Sequence, residues 1–286
     1  MPRKDSHPGF EDSGNVAIVV AHPGHELVVH HFMERCRPLY FCLTEGSGGN
    51  GQSRIESTGR LLRSAGARPG PIYGRFSDKD VYRLLLDGRV DVFAALANEL
   101  AGSLIEADIQ RVAGDAMEGF NPGHDICRAL IDSAVAIVEA RTGRALQNYE
   151  FAVHNEPAVA SDGASIRLQL DDAAFERKIA AAMAYRELQD EVQDILSRFG
   201  RQAFAVESLR PISTSRMLQQ FETTSPQYEA MGELRVAAGR YQKVIRYREH
   251  VLPVFSALGI TDARRAMGDE LVAEELGKCP EYLRQR

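Results

Sequence analysis

The stretch Val16-Ala17-Ile18-Val19-Val20-Ala21-His22-Pro23-Gly24-His25-Glu26 decides the fold class of this chain. Its first six residues are a continuous apolar run rich in β-branched side chains, the habit of a strand buried on both faces of a parallel sheet. The run ends in a Pro-Gly bend, after which residues 27–36 have helical character. A second strand is expected at Leu39-Tyr40-Phe41-Cys42-Leu43, running into the turn Thr44-Glu45-Gly46-Ser47-Gly48-Gly49-Asn50-Gly51. Apolar positions return at helical spacing over 53–65, with Gly66 as the stop. Strand, helix, strand, helix is the order of an α/β, Rossmann-like, doubly wound and mostly parallel sheet with helices on both faces.

Further along, the pattern predicts one helix over 81–104, a strand over 106–113, a loop over 114–123 and a helix over 125–141 with acidic charge near its start. Beyond that the character changes. A long amphipathic helix is expected over 174–199, a strand over 203–209, and a helix over 228–258 that Pro253 interrupts. This divides the chain into a disordered or extended start at 1–14, a Rossmann-like metal-binding region at 15–150, and a mainly helical continuation at 151–286 packed on the same domain.

Composition excludes several function classes. The 286 residues carry 34 Lys+Arg against 40 Asp+Glu, a formal net charge of −6, and 44% of them are hydrophobic. That is ordinary globular composition rather than disorder. An acidic chain without a dense basic run is a poor partner for nucleic acid, whose phosphates require clustered Lys and Arg. Four scattered cysteines, Cys36, Cys42, Cys127 and Cys279, form no C-x-x-C pair, so neither a thiolate zinc ribbon nor a disulfide framework is suggested. The first fifteen residues lack the apolar core of a signal peptide, and no stretch approaches a membrane span. The expectation is a soluble, cytoplasmic protein with a small-molecule partner; the oligomeric state stays open.

The chemistry points to histidines. His22 and His25 stand three apart around the bend that leaves the first strand, and His124 follows Asn121-Pro122-Gly123 at a second Pro-Gly turn before a helix. In open α/β sheets, ligands collect where such turns meet helix N-termini beyond the strand ends. Three imidazoles with an open fourth position suit a catalytic divalent metal, zinc first and iron(II) second, which lowers the pKa of bound water toward ~7. The bland alternative is a chance H-x-x-H pair with a capping histidine elsewhere. Glu26, Glu45, Glu118 and Asp125 stand near enough in sequence to orient the imidazoles or to act on bound water. The loop from Gly46 to Gly51 also spells G-x-G-x-x-G, a dinucleotide fingerprint. However, it follows the second strand, and residues 67–71 offer a poor strand and no acid where the ribose partner belongs. A substrate-facing loop fits it better.

These residues resemble the PIG-L, or LmbE-like, family of metal-dependent N-acetylglucosamine deacetylases. Its opening A-H-P-D-D-E is matched by Ala21-His22-Pro23-Gly24-His25-Glu26, and its T-D-G by Thr44-Glu45-Gly46. An arginine follows at Arg54, then a helix ending at Ala65-Gly66. The later H-P-D-H is matched by Asn121-Pro122-Gly123-His124, preceded by Glu118-Gly119. A K-x-x-A-x-x-x-Y pattern is similar at Lys178, Ala181 and Tyr185. The similarity spans roughly 14–195 and implies metal ligation by His22, His25 and His124, with Arg54 and Glu45 at the substrate.

Several departures mark this chain, among them Gly123 where the second motif has Asp. The family's carboxylate ligand is His25, its general base is Gly24, and its oxyanion-side histidine is Asn121, which can still donate a hydrogen bond. The resemblance then implies a hydrolase. Metal-bound hydroxide would attack an N-acyl amino sugar or related amide, Asn121 would face the oxyanion, and Glu26 or Asp125 would handle the proton. The alternatives are a ligand-binding or scaffold protein on the same fold, and an all-histidine metal enzyme with redox chemistry.

Overall fold

The computed structural model describes residues 15–48, 51–154 and 166–260. The expected extended start at 1–14, residues 49 and 50 of the Gly-rich turn, and Cys279 lie outside these residues. In chain order the elements are β1 Val16–Val20, α1 His30–Cys36, β2 Leu39–Thr44, α2 Ile55–Ala65, β3 Arg68–Phe76, α3 Asp78–Leu86, α4 Val90–Glu106, β4 Arg111–Asp115, α5 Pro122–Thr142 and β5 Gln147–Phe151. They continue with β6 Ile166–Gln169, α6 Asp172–Ala184, α7 Gln189–Phe199, β7 Val206–Pro211, α8 Thr214–Thr223, α9 Gln227–Ala237 and α10 Leu252–Ala257. A 3-10 turn over His25–Val29 links β1 to α1.

The seven strands form one sheet in the order β3-β2-β1-β4-β5-β7-β6. β1 pairs in parallel with both β2 and β4, and β5 pairs in parallel with β4; β7 runs antiparallel to β5 and β6. This is the α/β, mostly parallel architecture expected from the opening run. All five residues of β1 are buried, because it lies mid-sheet under helices on both faces. Its side chains alternate between two cores. Ala17 and Val19 join Phe41, Leu43, Leu100 and Ile131 on one face, while Val16, Ile18 and Val20 join Phe32, Tyr40, Leu62 and Tyr185 on the other.

Several elements differ from the sequence reading. The poor strand at 67–71 is the start of β3, which tolerates Pro69 and Pro71 because it is the sheet edge. The single helix expected over 81–104 is α3 and α4, broken at Gly88, whose φ of 63° suits only glycine well. The long helix expected over 174–199 is likewise two. α6 ends at Tyr185, where ψ is 91° and the buried side chain turns into the core. The helix expected over 228–258 is α9 and α10 with irregular chain and a π-turn between them. After residue 150 the strand expected over 203–209 is β7, and β6 is a strand that the sequence reading did not give.

A candidate metal centre at the switch point of the sheet

β1 and β4 lie side by side, but the chain leaves them toward opposite edges of the sheet. Such a switch point opens a crevice beyond the strand ends. His22 and His25 follow β1, Asp115 ends β4, and Asn121 and His124 open α5. Residues distant in sequence are thereby brought to one place. The ring centres of His22, His25 and His124 lie 5.3, 5.2 and 4.6 Å apart. Three imidazoles around one ion at Zn–N distances of about 2 Å would have ring centres roughly 5 Å apart, so the spacing is that of a ligand set.

The imidazoles are held from behind. The Oγ1 of Thr44 donates to the Ala21 carbonyl and so accepts from His22 Nδ1 at 2.8 Å, with Asp78 Oδ1 also 2.8 Å from that nitrogen. Asp115 accepts from His25 Nδ1 at 2.9 Å and from the Ala21 amide at 2.7 Å. These partners place the Nδ1 proton outward on both rings, which leaves the Nε2 lone pair of His25 for the crevice and turns that of His22 to the Asn121 amide at 3.4 Å. Burial pulls the His25 pKa down, but the Asp115 charge and hydrogen bond outweigh it and raise the value. His124 is buried with no hydrogen bond to Nδ1. Burial and then the two neighbouring histidines push its pKa well below the ordinary value, so it is a neutral imidazole with an available lone pair.

A donor set of three imidazoles, two backed by carboxylates and one with an orphaned buried nitrogen, fits a divalent ion of borderline softness. The nitrogens do not converge as they stand. Among the described residues no group of three His, Cys, Asp or Glu side chains is arranged to hold an ion. His22 and His25 are held at Nδ1, whereas the Nδ1 of His124 has no hydrogen-bond partner.

The other residues singled out from sequence are placed unequally. Asn121 caps α5: its Oδ1 accepts from the Gly123 amide at 2.8 Å, which turns its Nδ2 toward His22 Nε2 at 3.4 Å. Asp125 is buried. Its Oδ1 accepts from the Glu118 and Gly119 amides, while Oδ2 has no partner; burial raises its pKa to about 7 against the pull of those amides. Glu26 is fully buried and accepts from the Gly24 amide, the Tyr40 hydroxyl and the Thr58 hydroxyl at 2.7–2.8 Å, so both its oxygens serve the fold. Arg54 runs beside Gly46 toward Glu191, 3.8 Å from its Nη2, and its Nε is buried without a partner. Glu45 lies beside it, its amide held by the Phe76 carbonyl at 2.8 Å. Glu118 holds the Val153 and His154 amides, and burial raises its pKa.

Sequence reasoning missed Asp115, Asp78 and Thr44, which face the Nδ1 atoms of His25 and His22. It also missed Leu188. Gly24 has φ 108°, and a Cβ built there would lie 2.3 Å from Leu188 Cδ1. A leucine from the turn before α7 therefore occupies the space beside the position that carries the family's base.

No family model matches the chain, and no curated protein matches it in sequence. Among solved structures, a conserved protein from Thermus thermophilus is 18% identical over 69% of this chain and 93% of its own, with a TM-score of 0.49. The deacetylase of the antimicrobial A40926 pseudoaglycone is 18% identical over 68% of this chain and 88% of its own, with a TM-score of 0.46. Teicoplanin deacetylase in a zinc-inhibited form is 12% identical over 68% and 96%, with a TM-score of 0.45. At these values the similarity assigns no activity to this chain.

Proposed function

We propose that the chain is a metal-dependent hydrolase of the PIG-L type, removing an acyl group from an N-acyl amino sugar or a related small amide. The observation that carries this is the gathering of His22, His25 and His124 at ligand spacing, with carboxylates behind two of them. Those three residues would hold the ion, zinc by preference and iron(II) as the alternative. When bound, such an ion supplies Lewis-acid polarisation of a carbonyl and acidification of water.

The chain's own groups take the remaining roles. Asp115 keeps the His25 proton on Nδ1, and Thr44 with Asp78 does the same for His22. Asn121 presents Nδ2 at the crevice as a donor for a developing oxyanion, its amide held from flipping by the Gly123 contact. Of the two carboxylates suggested for proton handling, Glu26 has both oxygens occupied by three donors, whereas Asp125 retains one without a partner. Asp125 is therefore the better of the two. The Arg54 guanidinium, whose Nη2 makes one long contact with Glu191 at 3.8 Å, suits a polar or anionic group on the substrate.

A second reading has its own support. Leu188 against Gly24 leaves no room for a carboxylate where the family places its base, which favours a ligand-binding protein that keeps the metal and has lost hydrolysis. Elemental analysis of protein purified without chelators, combined with acid release from a panel of N-acyl amino sugars, separates the two. Hydrolysis predicts about one divalent ion per chain and release that His124→Ala abolishes. Metal without release selects the binding protein. Absence of metal, with no change in stability on replacing any of the three histidines, removes both.

A further inference from the structure

Far from the histidines, α1 and α2 end side by side at a cleft of about 510 Å³. His31, Glu34, Arg35, Arg37, Arg63 and Arg177 line it. β2 begins at Leu39 and runs to Thr44 at the metal-centre end, so the cleft lies at the opposite end of the sheet, roughly 20 Å away. Four guanidiniums gathered on a chain of net charge −6 need an account. Part of it is local. Arg35 and Arg63 sit in the last turns of α1 and α2, where the helix dipoles favour cations. Arg177 is taken up by a two-pronged pair with Glu34, at 2.8 and 2.9 Å, which also consumes the only carboxylate of the lining.

Arg37 is not explained in this way. It caps α1 at φ 48°, ψ 56°, a left-handed conformation that glycine or asparagine adopts at far lower cost. Its stem lies across Gly66, where a Cβ would come within 3.3 Å of Arg37 Cγ and Cδ. The bare backbone of one helix end thus makes room for the arginine of the other. Among the described residues neither Arg37 nor Arg63 is in an ion pair. Among the described residues the result is a cleft in which Arg37 and Arg63 make no ion pair, Arg37 stands on left-handed backbone, and Glu34 is already engaged by Arg177.

We infer that this cleft binds a small, multiply charged phosphate-bearing molecule, gripped by Arg37 and Arg63 with Arg35 and Arg177 at its rim. Guanidinium forks match phosphate oxygens two at a time, and the open cleft presents the exposed Arg37 and Arg63 to a small phosphate-bearing molecule. The site is independent of the metal centre and of the function proposed for it.

Calorimetric titration of the full chain with inorganic pyrophosphate at low salt tests the inference. Saturable binding with Kd between about 10 µM and 1 mM is expected, weakening as salt rises. Replacing Arg37 and Arg63 together by alanine should cost about 100-fold in affinity. Arg37→Gly should lose about tenfold while raising Tm, since glycine relieves the left-handed backbone, and this separates binding from folding. Arg83→Ala, an exposed arginine beside Asp80, should change nothing. Pyrophosphate chelates metals, so His124→Ala serves as the control and should bind as the parent does. No saturable heat up to about 10 mM, an affinity that the Arg37 and Arg63 replacements leave within about twofold, or binding lost in His124→Ala would each overturn the inference.

Discussion

Replacing Gly24 by alanine should be among the most damaging single-methyl additions available in this protein. The backbone there has φ 108° and ψ −20°, outside the region that residues with a Cβ tolerate, which costs about 1–3 kcal/mol. The added Cβ also lies 2.3 Å from Leu188 Cδ1 and 3.7 Å from Tyr185 Cζ. Tyr185 is buried and hydrogen-bonded to Thr58 at 2.7 Å, so the turn holding Leu188 cannot simply withdraw. Overpacking of this kind adds about 1–3 kcal/mol, for a total of roughly 2–6. Urea unfolding followed by far-UV circular dichroism measures it, with Leu188→Ala and the double variant completing a thermodynamic cycle. The double variant removes the collision but keeps the backbone strain, so a favourable coupling of about 1–3 kcal/mol is expected. Gly24→Ala within about 0.5 kcal/mol of the parent, or a cycle with no coupling, would refute the steric reasoning. The functional corollary is that Gly24→Asp does not raise hydrolysis alone and does so only together with Leu188→Ala.

Three further outcomes follow from the geometry. Asp115→Asn should lower metal affinity by about 10–100-fold in competition with a chromophoric chelator, because the amide no longer enforces the Nδ1 proton of His25. Lys178→Met should cost about 3–5 kcal/mol in urea unfolding: it strands Glu207, which is 2% exposed and also holds the His31 and Phe32 amides, and Lys178→Met with Glu207→Gln should recover part of the loss. Asp125 keeps its proton to about pH 7 in the folded chain, whereas an unfolded aspartate loses it near pH 3.8. The folded state thus binds more protons between those values, and Asp125 makes stability fall as pH rises across that window and level off above it. Asp125→Asn should flatten that slope and stabilise the chain at pH 8, as read from Tm across a pH series; an unchanged slope would assign it to other groups.

Much of the sheet, and the histidines of the candidate site, were legible in the chain itself. β1 and β2 declare themselves because a strand buried on both faces must be apolar throughout, and Gly66 ends α2 where the spacing places it, at φ 72°. The histidines are visible because both bends carry Pro-Gly beside them. Breaks inside helical periodicity were not legible. α6 and α7 share one amphipathic pattern, and the burial of Tyr185, with Leu188 packed against the Gly24 turn, divides them. β3 was hidden by its prolines, which an edge strand tolerates and a central strand does not.

Local sequence determines the parallel α/β character, the bends that carry His22, His25 and His124, and the absence of a carboxylate at position 24. These depend on periodicity, on β-branching and on single-residue chemistry, all of which act over a few neighbours. Only the tertiary structure decided that β1 and β4 lie side by side, that Asp115 and Asp78 face the imidazoles of His25 and His22, that Glu26 is consumed by Tyr40 and Thr58, and that Leu188 fills the space beside Gly24. Those contacts join residues up to 164 positions apart, between Gly24 and Leu188. Such distances are closed by burial of the two cores against the sheet, a term that sums over the whole domain and leaves no mark at any one residue.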